Sequence, residues 1–173
     1  SSVLISNNAK ATLSKKNIEI EADQLIYNQK NSTVKALGNV KIKDLSNNIT
    51  LKSEEAIYKK NENIIISNVR SIFTDDNGNN IITEEFSYAL SDNLLKISKA
   101  KIVDIQNNNY YVEKAFLNLL TNRLIGKDIS VDFNSLAVNN EPRMKGKVVN
   151  ADEDKTVIEK GVFTTCKKND NCP

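Results

Sequence analysis

The chain has no His and no Trp, and Gly (5), Pro (2), Cys (2) and Met (1) are scarce. Without imidazole a Ser or Thr nucleophile lacks its usual base, and a closed tetrahedral zinc site would need carboxylates beside the two thiols. The glycines at 38, 78, 126, 146 and 161 are isolated, so there is no glycine-rich loop to cradle phosphates. No window approaches the run of about 18 apolar residues that spans a bilayer as a helix. Lys+Arg 24 nearly cancels Asp+Glu 22, leaving net +2. The Lys pairs at 15–16, 59–60 and 167–168 are scattered, which is the pattern of solvated strand faces and excludes a nucleic-acid footprint. No enzyme activity, metal or cofactor is expected.

What the chain does contain is repetition. Residues 18–42 read as two strands around a polar turn. Ile18, Ile20 and Ala22 alternate with Glu19, Glu21 and Asp23, and Val34, Ala36, Gly38, Val40 and Ile42 alternate with lysines and Asn39, Leu37 alone spoiling the pattern. Between them Asn28-Gln29-Lys30-Asn31 supplies the turn, because Asn tolerates left-handed backbone angles. The segment Ala22-Asp23-Gln24-Leu25-Ile26-Tyr27 recurs as Ser53-Glu54-Glu55-Ala56-Ile57-Tyr58, Thr83-Glu84-Glu85-Phe86-Ser87-Tyr88 and Val112-Glu113-Lys114-Ala115-Phe116-Leu117. Its last residues are 31, 30 and 29 positions apart. A second echo runs Leu37-Gly38-Asn39-Val40, Ile66-Ser67-Asn68-Val69, Ile97-Ser98-Lys99-Ala100 and Ile125-Gly126-Lys127-Asp128, and a worn final copy covers 147–163. A period near thirty with two strands per unit is a repeat architecture, each unit burying its apolar face on its neighbours.

Along the chain the pattern predicts a leading strand at residues 3–5 and a connector over 9–17. Ile64-Ile65-Ile66 reads as a strand buried on both faces or one carrying a bulge. Residues 110–120 carry helical spacing, but the repeat register makes them strand, and 139–145 form a looser insertion around Pro142. The class is therefore all-β: an antiparallel twisted structure of about five strand-turn-strand repeats, as two facing sheets or a coil of short strands, with open edges at both termini.

Three constellations invite chemistry. The pairs Glu54-Glu55 and Glu84-Glu85 could pair as acid and base, but they occupy matching repeat positions and read as turn-edge structure. Asp75-Asp76-Asn77-Gly78 has an acidic start but not the EF-hand spacing, and Asn-Gly is a hairpin signal. Cys166 and Cys172 read as disulfide cysteines of an oxidising compartment, with intramolecular closure or a partner elsewhere both open.

The remaining candidate is the apolar face. It is either an ordinary dry core or a sheet pair that does not quite close, leaving a groove for a hydrocarbon chain. The candidate groove takes Ile18, Ile20, Ala22, Leu25 and Tyr27 from the first arm, Val34, Ala36, Val40 and Ile42 from the second, and Leu51, Ala56, Tyr58, Ile64 and Ile66 from the next copy. Later copies add Phe86, Tyr88, Leu95, Ile97, Phe116, Ile129, Val131 and Phe133.

The arm Ile20-Glu21-Ala22-Asp23-Gln24-Leu25-Ile26-Tyr27 and the stretch Ala36-Leu37-Gly38-Asn39-Val40-Lys41-Ile42 resemble the OstA-like periplasmic domain of lipopolysaccharide transport. The ending Lys160-Gly161-Val162-Phe163-Thr164-Thr165-Cys166 is similar to the junction at which, in the outer-membrane branch of that family, the domain passes to a barrel. The resemblance covers nearly the whole chain and implies a β-jelly roll open at its ends, with Ile18, Ile20 and Ala22 facing inward towards lipopolysaccharide acyl chains. It implies residues 1–165 as the jelly-roll domain and 166–173 as a Cys-containing junction, so the chain is expected to be part of a larger parent. It further implies an outer-membrane, periplasm-facing location. The partners it implies are lipopolysaccharide, an LptA-like bridge domain joined by edge-strand addition, a C-terminal barrel of the same chain and its LptE-like lipoprotein plug. Cys166 matches a junction cysteine that pairs with the barrel, whereas Cys172 departs from that pattern. A soluble bridge component of the family and a dry structural β-solenoid of a surface scaffold are the alternatives.

Overall fold

A computed structural model describes residues 3–134, 141–151 and 155–166. They form fourteen strands: β1 (Val3–Leu13), β2 (Ile18–Asn28), β3 (Thr33–Asp44), β4 (Ile49–Lys59), β5 (Ile64–Ser67), β6 (Ser71–Thr74), β7 (Asn80–Thr83), β8 (Glu85–Ala89), β9 (Leu94–Val103), β10 (Asn109–Asn118), β11 (Arg123–Asp132), β12 (Arg143–Ala151), β13 (Thr156–Glu159) and β14 (Val162–Thr164). Every pairing is antiparallel.

The long strands are creased near their middles. Between β1 and β2 the pairing passes over Asn8 and Asp23, between β3 and β4 over Gly38, Asn39 and Glu54, between β9 and β10 over Lys99 and Glu113, and between β11 and β12 over Asp128 and Lys147. In the middle of the chain the crease becomes a full break, separating β5 from β6 and β7 from β8. One leaf therefore runs β1-β2-β3-β4-β5-β8-β9-β10-β11-β12-β13, while β6, β7 and β14 take the places of β5, β8 and β13 in the other. The two leaves share their long strands and fold face to face over one core.

The crease follows from particular residues. Asn8, Asn39, Lys99 and Asp128 hold left-handed φ of 47, 46, 49 and 53°, which takes the chain out of its ladder and turns it. Asn8, Asp23, Asn39 and Glu54 are 15, 16 and 15 positions apart, and Glu84, Lys99, Glu113 and Asp128 are 15, 14 and 15 apart, half the repeat period each time. All are exposed on the convex side. On the concave side the flanking residues are small, Ala22, Ala36, Ala56, Ala100 and Ala115 among them. Where the break is complete they are hydroxyls that satisfy the freed backbone and one another: Ser71 Oγ lies 2.9 Å from Val69 O and 3.0 Å from Ser53 Oγ, and Thr83 Oγ1 lies 2.8 Å from both Glu85 O and Ser98 O. This answers the backbone accounting that a break inside a sheet demands.

The four-residue turns end on a left-handed residue: Asn17, Ser32, Asn48, Asn63, Asn93 and Asn122, with φ from 50 to 54°. Carbonyls at these positions accept the N–H of the next turn in the stack, as in Lys60 to Ser32 (2.9 Å), Leu90 to Asn63 (3.1 Å) and Leu119 to Asn93 (2.8 Å). Asn serves where few glycines are available, because it tolerates this conformation.

The all-β class, the antiparallel pairing and the strand at 110–120 stand as read from the sequence. The expected connector at 9–17 does not: β1 continues to Leu13, because Ala9, Ala11 and Leu13 keep the alternation and pair with Ala22, Ile20 and Ile18. The looser insertion ends sooner than expected, since Arg143 already opens β12, and its residues 139–140 lie outside the described residues. So does the turn 152–154 of the final copy.

Gly38 has φ +69°, and a Cβ there would lie 2.5 Å from Asp23 Oδ2, whereas Gly78 has φ +91° with nothing within 4 Å. Gly38→Ala and Gly78→Ala should each lose about 1–2 kcal/mol from the left-handed backbone, and Gly38→Ala should lose more because the crease contact must also give. Urea midpoints measure the difference; equal losses would mean that Asp23 is free to swing aside.

Candidate functional site

Of the groove residues expected from the sequence, Ile18, Ile20, Ala22, Leu25, Ala36, Val40, Ile42, Leu51, Ala56, Tyr58, Phe86, Tyr88, Leu95, Ile97, Ile129 and Val131 are buried in one apolar cluster, with Val34 and Phe133 partly buried against it. Tyr27 shares the inward face of β2 with Leu25 but is only half-buried. Ile64, Ile66 and Phe116 face the other way. In the isoleucine triplet Ile65 is the inward residue, at 0% exposure; three equal side chains carry no alternation, and the parity is set by the buried Ser67 that follows. Phe116 is 42% exposed on the outer face, covered by Lys96 Nζ at 5.6 Å from its ring centre. Its repeat position matches Ile26, Ile57 and Ser87, all outward, and the inward positions beside it are Ala115 and Leu117. Sequence reasoning missed Phe73, Leu90, Val112 and Val149 as well.

Opposite the crease the two rows of turns face each other across a mouth. At its middle the leaves are tied together. Tyr88 OH, from β8 in one leaf, donates to Asp44 Oδ2, from the end of β3 in the other. Asn47 Nδ2 lies 2.8 Å from the same carboxylate oxygen, 3.0 Å from Tyr88 OH and 2.9 Å from Asn93 Oδ1. Asp44 also caps its own turn, accepting the Ser46 and Asn47 N–H at 2.9 and 3.1 Å. Burial, and then the Asp44 carboxylate, push the Tyr88 phenol far above the usual tyrosine range. Tyr110 is raised in the same way by burial and by Asp104, whose Oδ2 it meets at 2.9 Å.

Beside this tie the mouth opens into a cavity of 180 Å³ lined by Ile49, Phe73, Ile81, Leu95, Leu117 and Leu119, with Asn47, Asp75, Asp76, Asn77, Asn79 and Asn122 around it. Its floor is fully enclosed, Phe73 being 2% and Leu95 0% exposed. The outermost strands keep apolar side chains in solvent: Val3, Leu4 and Ile5 on β1 are 46, 64 and 62% exposed, and Val162 and Phe163 on β14 are 52 and 60% exposed.

The carboxylate constellations have structural work. Glu54, Glu84 and Glu85 are exposed along the crease, and Glu55 pairs with Lys35 at 3.1 Å. Asp75 holds its own turn, accepting Asn79 N and Nδ2 at 2.8 and 2.7 Å. Among the described residues no three His, Cys, Asp or Glu are grouped so as to hold a metal ion. Cys166 is disulfide-bonded, and its carbonyl accepts Arg143 Nη1 at 2.6 Å; Cys172 lies outside the described residues.

No family model matches the sequence, and no curated protein matches it. Among solved structures, the crystal structure of LptH from Pseudomonas aeruginosa, the LptA-homologous periplasmic component of a lipopolysaccharide transport device, superposes with a TM-score of 0.52. The match is 16% identical and covers 61% of this chain and 78% of that one. The chain has the LptA-like β-jelly-roll fold. At this identity the shared property is the fold.

Raised phenol values have a definite sign. Tyr88 and Tyr110 contribute stability that is complete below the ordinary tyrosine value of about 10 and is lost as pH rises beyond it. Denaturation midpoints should therefore fall above about pH 10, and Tyr88→Phe should flatten part of that fall. An unchanged alkaline profile in the variant would show that the phenol is not sequestered.

Proposed function

We propose that the chain is a non-enzymatic lipopolysaccharide conduit, the periplasmic domain of an outer-membrane translocon of the LptD kind. The observation that carries this is the creased pair of leaves with an apolar interior and a cavity at its mouth. An acyl chain entering it gains about 0.8 kcal/mol for each methylene taken out of water, so affinity needs no catalytic group. The likeness to LptH supports the transport reading and a periplasmic setting. The ending at residues 160–166 supports the choice of the LptD branch, with the barrel of the same chain and an LptE-like plug as its neighbours at the outer membrane.

Edge strand β1, which among the described residues pairs with β2 alone, fits strand addition by an LptA-like bridge domain. With open edges at both ends, a soluble bridge component is the closest rival. A dry scaffold is favoured by a different observation, the sealing of Ile18, Leu95 and Ile97 at 1, 0 and 0% exposure.

A photo-crosslinking residue at Ile20 or Leu117 should capture lipopolysaccharide in cells, while the outward Phe116 position should not. Absence of adducts at both inward positions would leave the dry scaffold as the reading to keep.

A further inference from the structure

Ile64, Ile66 and Phe116, the bulky residues that turn away from the interior, share one outer face, that of the leaf running from β1 through β5 and β8 to β13. On it Ile26, Ile57, Ile66, Phe116 and Ile125 stand in a single row across the strands, joined by direct register partners, with Lys35, Ser87 and Lys96 between them. Ile5 on β1 begins the row, and Val157 on β13 ends it beyond Asn150. Next to it on the mouth side, a second outward row carries Ile64 and Leu94 with Lys59 and Arg123. Neither row contains an Asp or a Glu.

An outward sheet face is ordinarily the wet one, and the other leaf keeps to this. Where the apolar row has Ile5, Ile26, Lys35 and Ile57 on β1 to β4, its counterpart has Lys10, Glu21, Lys41 and Lys52, and Lys10 is held by Glu19 and Glu21 at 3.1 and 3.2 Å. Phe116, Ile125 and Val157 are 42, 43 and 41% exposed. They belong to a continuous row rather than to scattered positions, which is the form in which exposed apolar surface marks a contact. At the ordinary strand spacing and rise, the two rows make a strip roughly 50 Å long and about 14 Å wide.

The unpaired charge beside the strip is of one sign. Lys96 lies over Phe116, and Lys114 and Lys127, on the same strands as Phe116 and Ile125, stand directly opposite each other. Like charges so placed repel. Lys35 and Lys59 are occupied by Glu55 and Glu62 at 3.1 and 3.2 Å, but Lys96, Lys114 and Lys127 form no ion pair among the described residues. An anionic surface would supply their partners. A second copy set face to face would bring lysine against lysine, and a long, narrow strip lacks the compact, enclosed centre on which a tight protein interface depends. A lipid surface needs no such centre, because its hold comes from buried apolar area and attraction to anionic head groups.

We propose that this outer face is a membrane-contact surface. The strip rests on a bilayer with anionic head groups, Phe116 and Ile125 enter the interfacial layer, and Lys96, Lys114 and Lys127 meet the lipid phosphates. The face lies outside the roll, so the inference does not depend on what the interior carries.

Because the sequence has no Trp, Phe116→Trp gives a single reporter on the strip, and Lys52→Trp gives one on the outer face of the other leaf. Ile125→Trp takes the place of Phe116→Trp should that variant not fold. On vesicles of equal parts phosphatidylcholine and phosphatidylglycerol, the strip reporter should shift to the blue and be quenched by brominated acyl chains, while Lys52→Trp keeps its spectrum. Vesicles of phosphatidylcholine alone should bind roughly tenfold more weakly, and Lys114→Gln with Lys127→Gln should cost at least a similar factor on the mixed vesicles. No shift with either vesicle, equal binding to both, or an equal shift at Lys52→Trp would overturn the proposal. So would a blue shift that follows protein concentration without lipid, which would make the strip a contact between copies. None of these outcomes touches the conduit reading, which capture of lipopolysaccharide at Ile20 tests separately.

Discussion

A strand that must turn a corner without ending is the constraint on which this structure depends. The ladder has to be broken at the same level in every row, and the groups released by the break have to be satisfied inside the fold. Left-handed Asn8, Asn39, Lys99 and Asp128 make the turn, small residues give the concave side room, and Ser53, Ser71 and Thr83 supply the missing hydrogen bonds where the strands part completely. The exposed acids, amides and lysines along the outside of the crease are its solvated counterpart. Both leaves, their shared core and the mouth opposite follow from that one line of residues.

Much of this was legible in the sequence. The alternation of Ile18, Ile20 and Ala22, the thirty-residue period and the Asn-rich turns specify strands, stacking and the inward face. The break in each row went unread although it shifts the parity of the buried positions: Ala22 and Leu25, Ile97 and Ala100, and Val112 and Ala115 are buried three apart, a slip that a strand pattern read in short windows does not register. In β3, where Gly38 and Asn39 both leave the ladder, the phase runs on unchanged from Ala36 to Val40. The signal was nonetheless present, in the polar residues recurring at half the repeat period. Ile64, Ile66 and Phe116 were misplaced where bulk was weighed above parity, and the repeat's own register already put Phe116 beside Ile26 and Ile57 on the outside.

The tie between Asp44 and Tyr88 was beyond sequence reading for a different reason. Its partners are 44 positions apart and belong to different repeats, so neither the period nor local alternation brings them together. They meet because the leaves twist, carrying the end of β3 in one leaf over β8 in the other. Tyr27, Tyr58 and Tyr88 hold equivalent places in their repeats, yet they differ in what the opposite leaf sets against them. Tyr58 OH reaches Asn63 within its own leaf at 3.3 Å, and Tyr88 reaches across. A repeat that is regular along the chain thus becomes irregular at the mouth, which is where chemical selectivity can reside.

The row-by-row construction also makes the molecule a ruler. Eleven strands follow one another in the first leaf, and at about 4.8 Å between neighbours they set a span of roughly 50 Å. Each added or deleted thirty-residue unit would change that span by two rows, about 10 Å, without altering the crease or the turns of the units that remain. Reach can therefore be adjusted in discrete steps by duplication of a unit, while the cross-section seen by whatever travels inside stays the same.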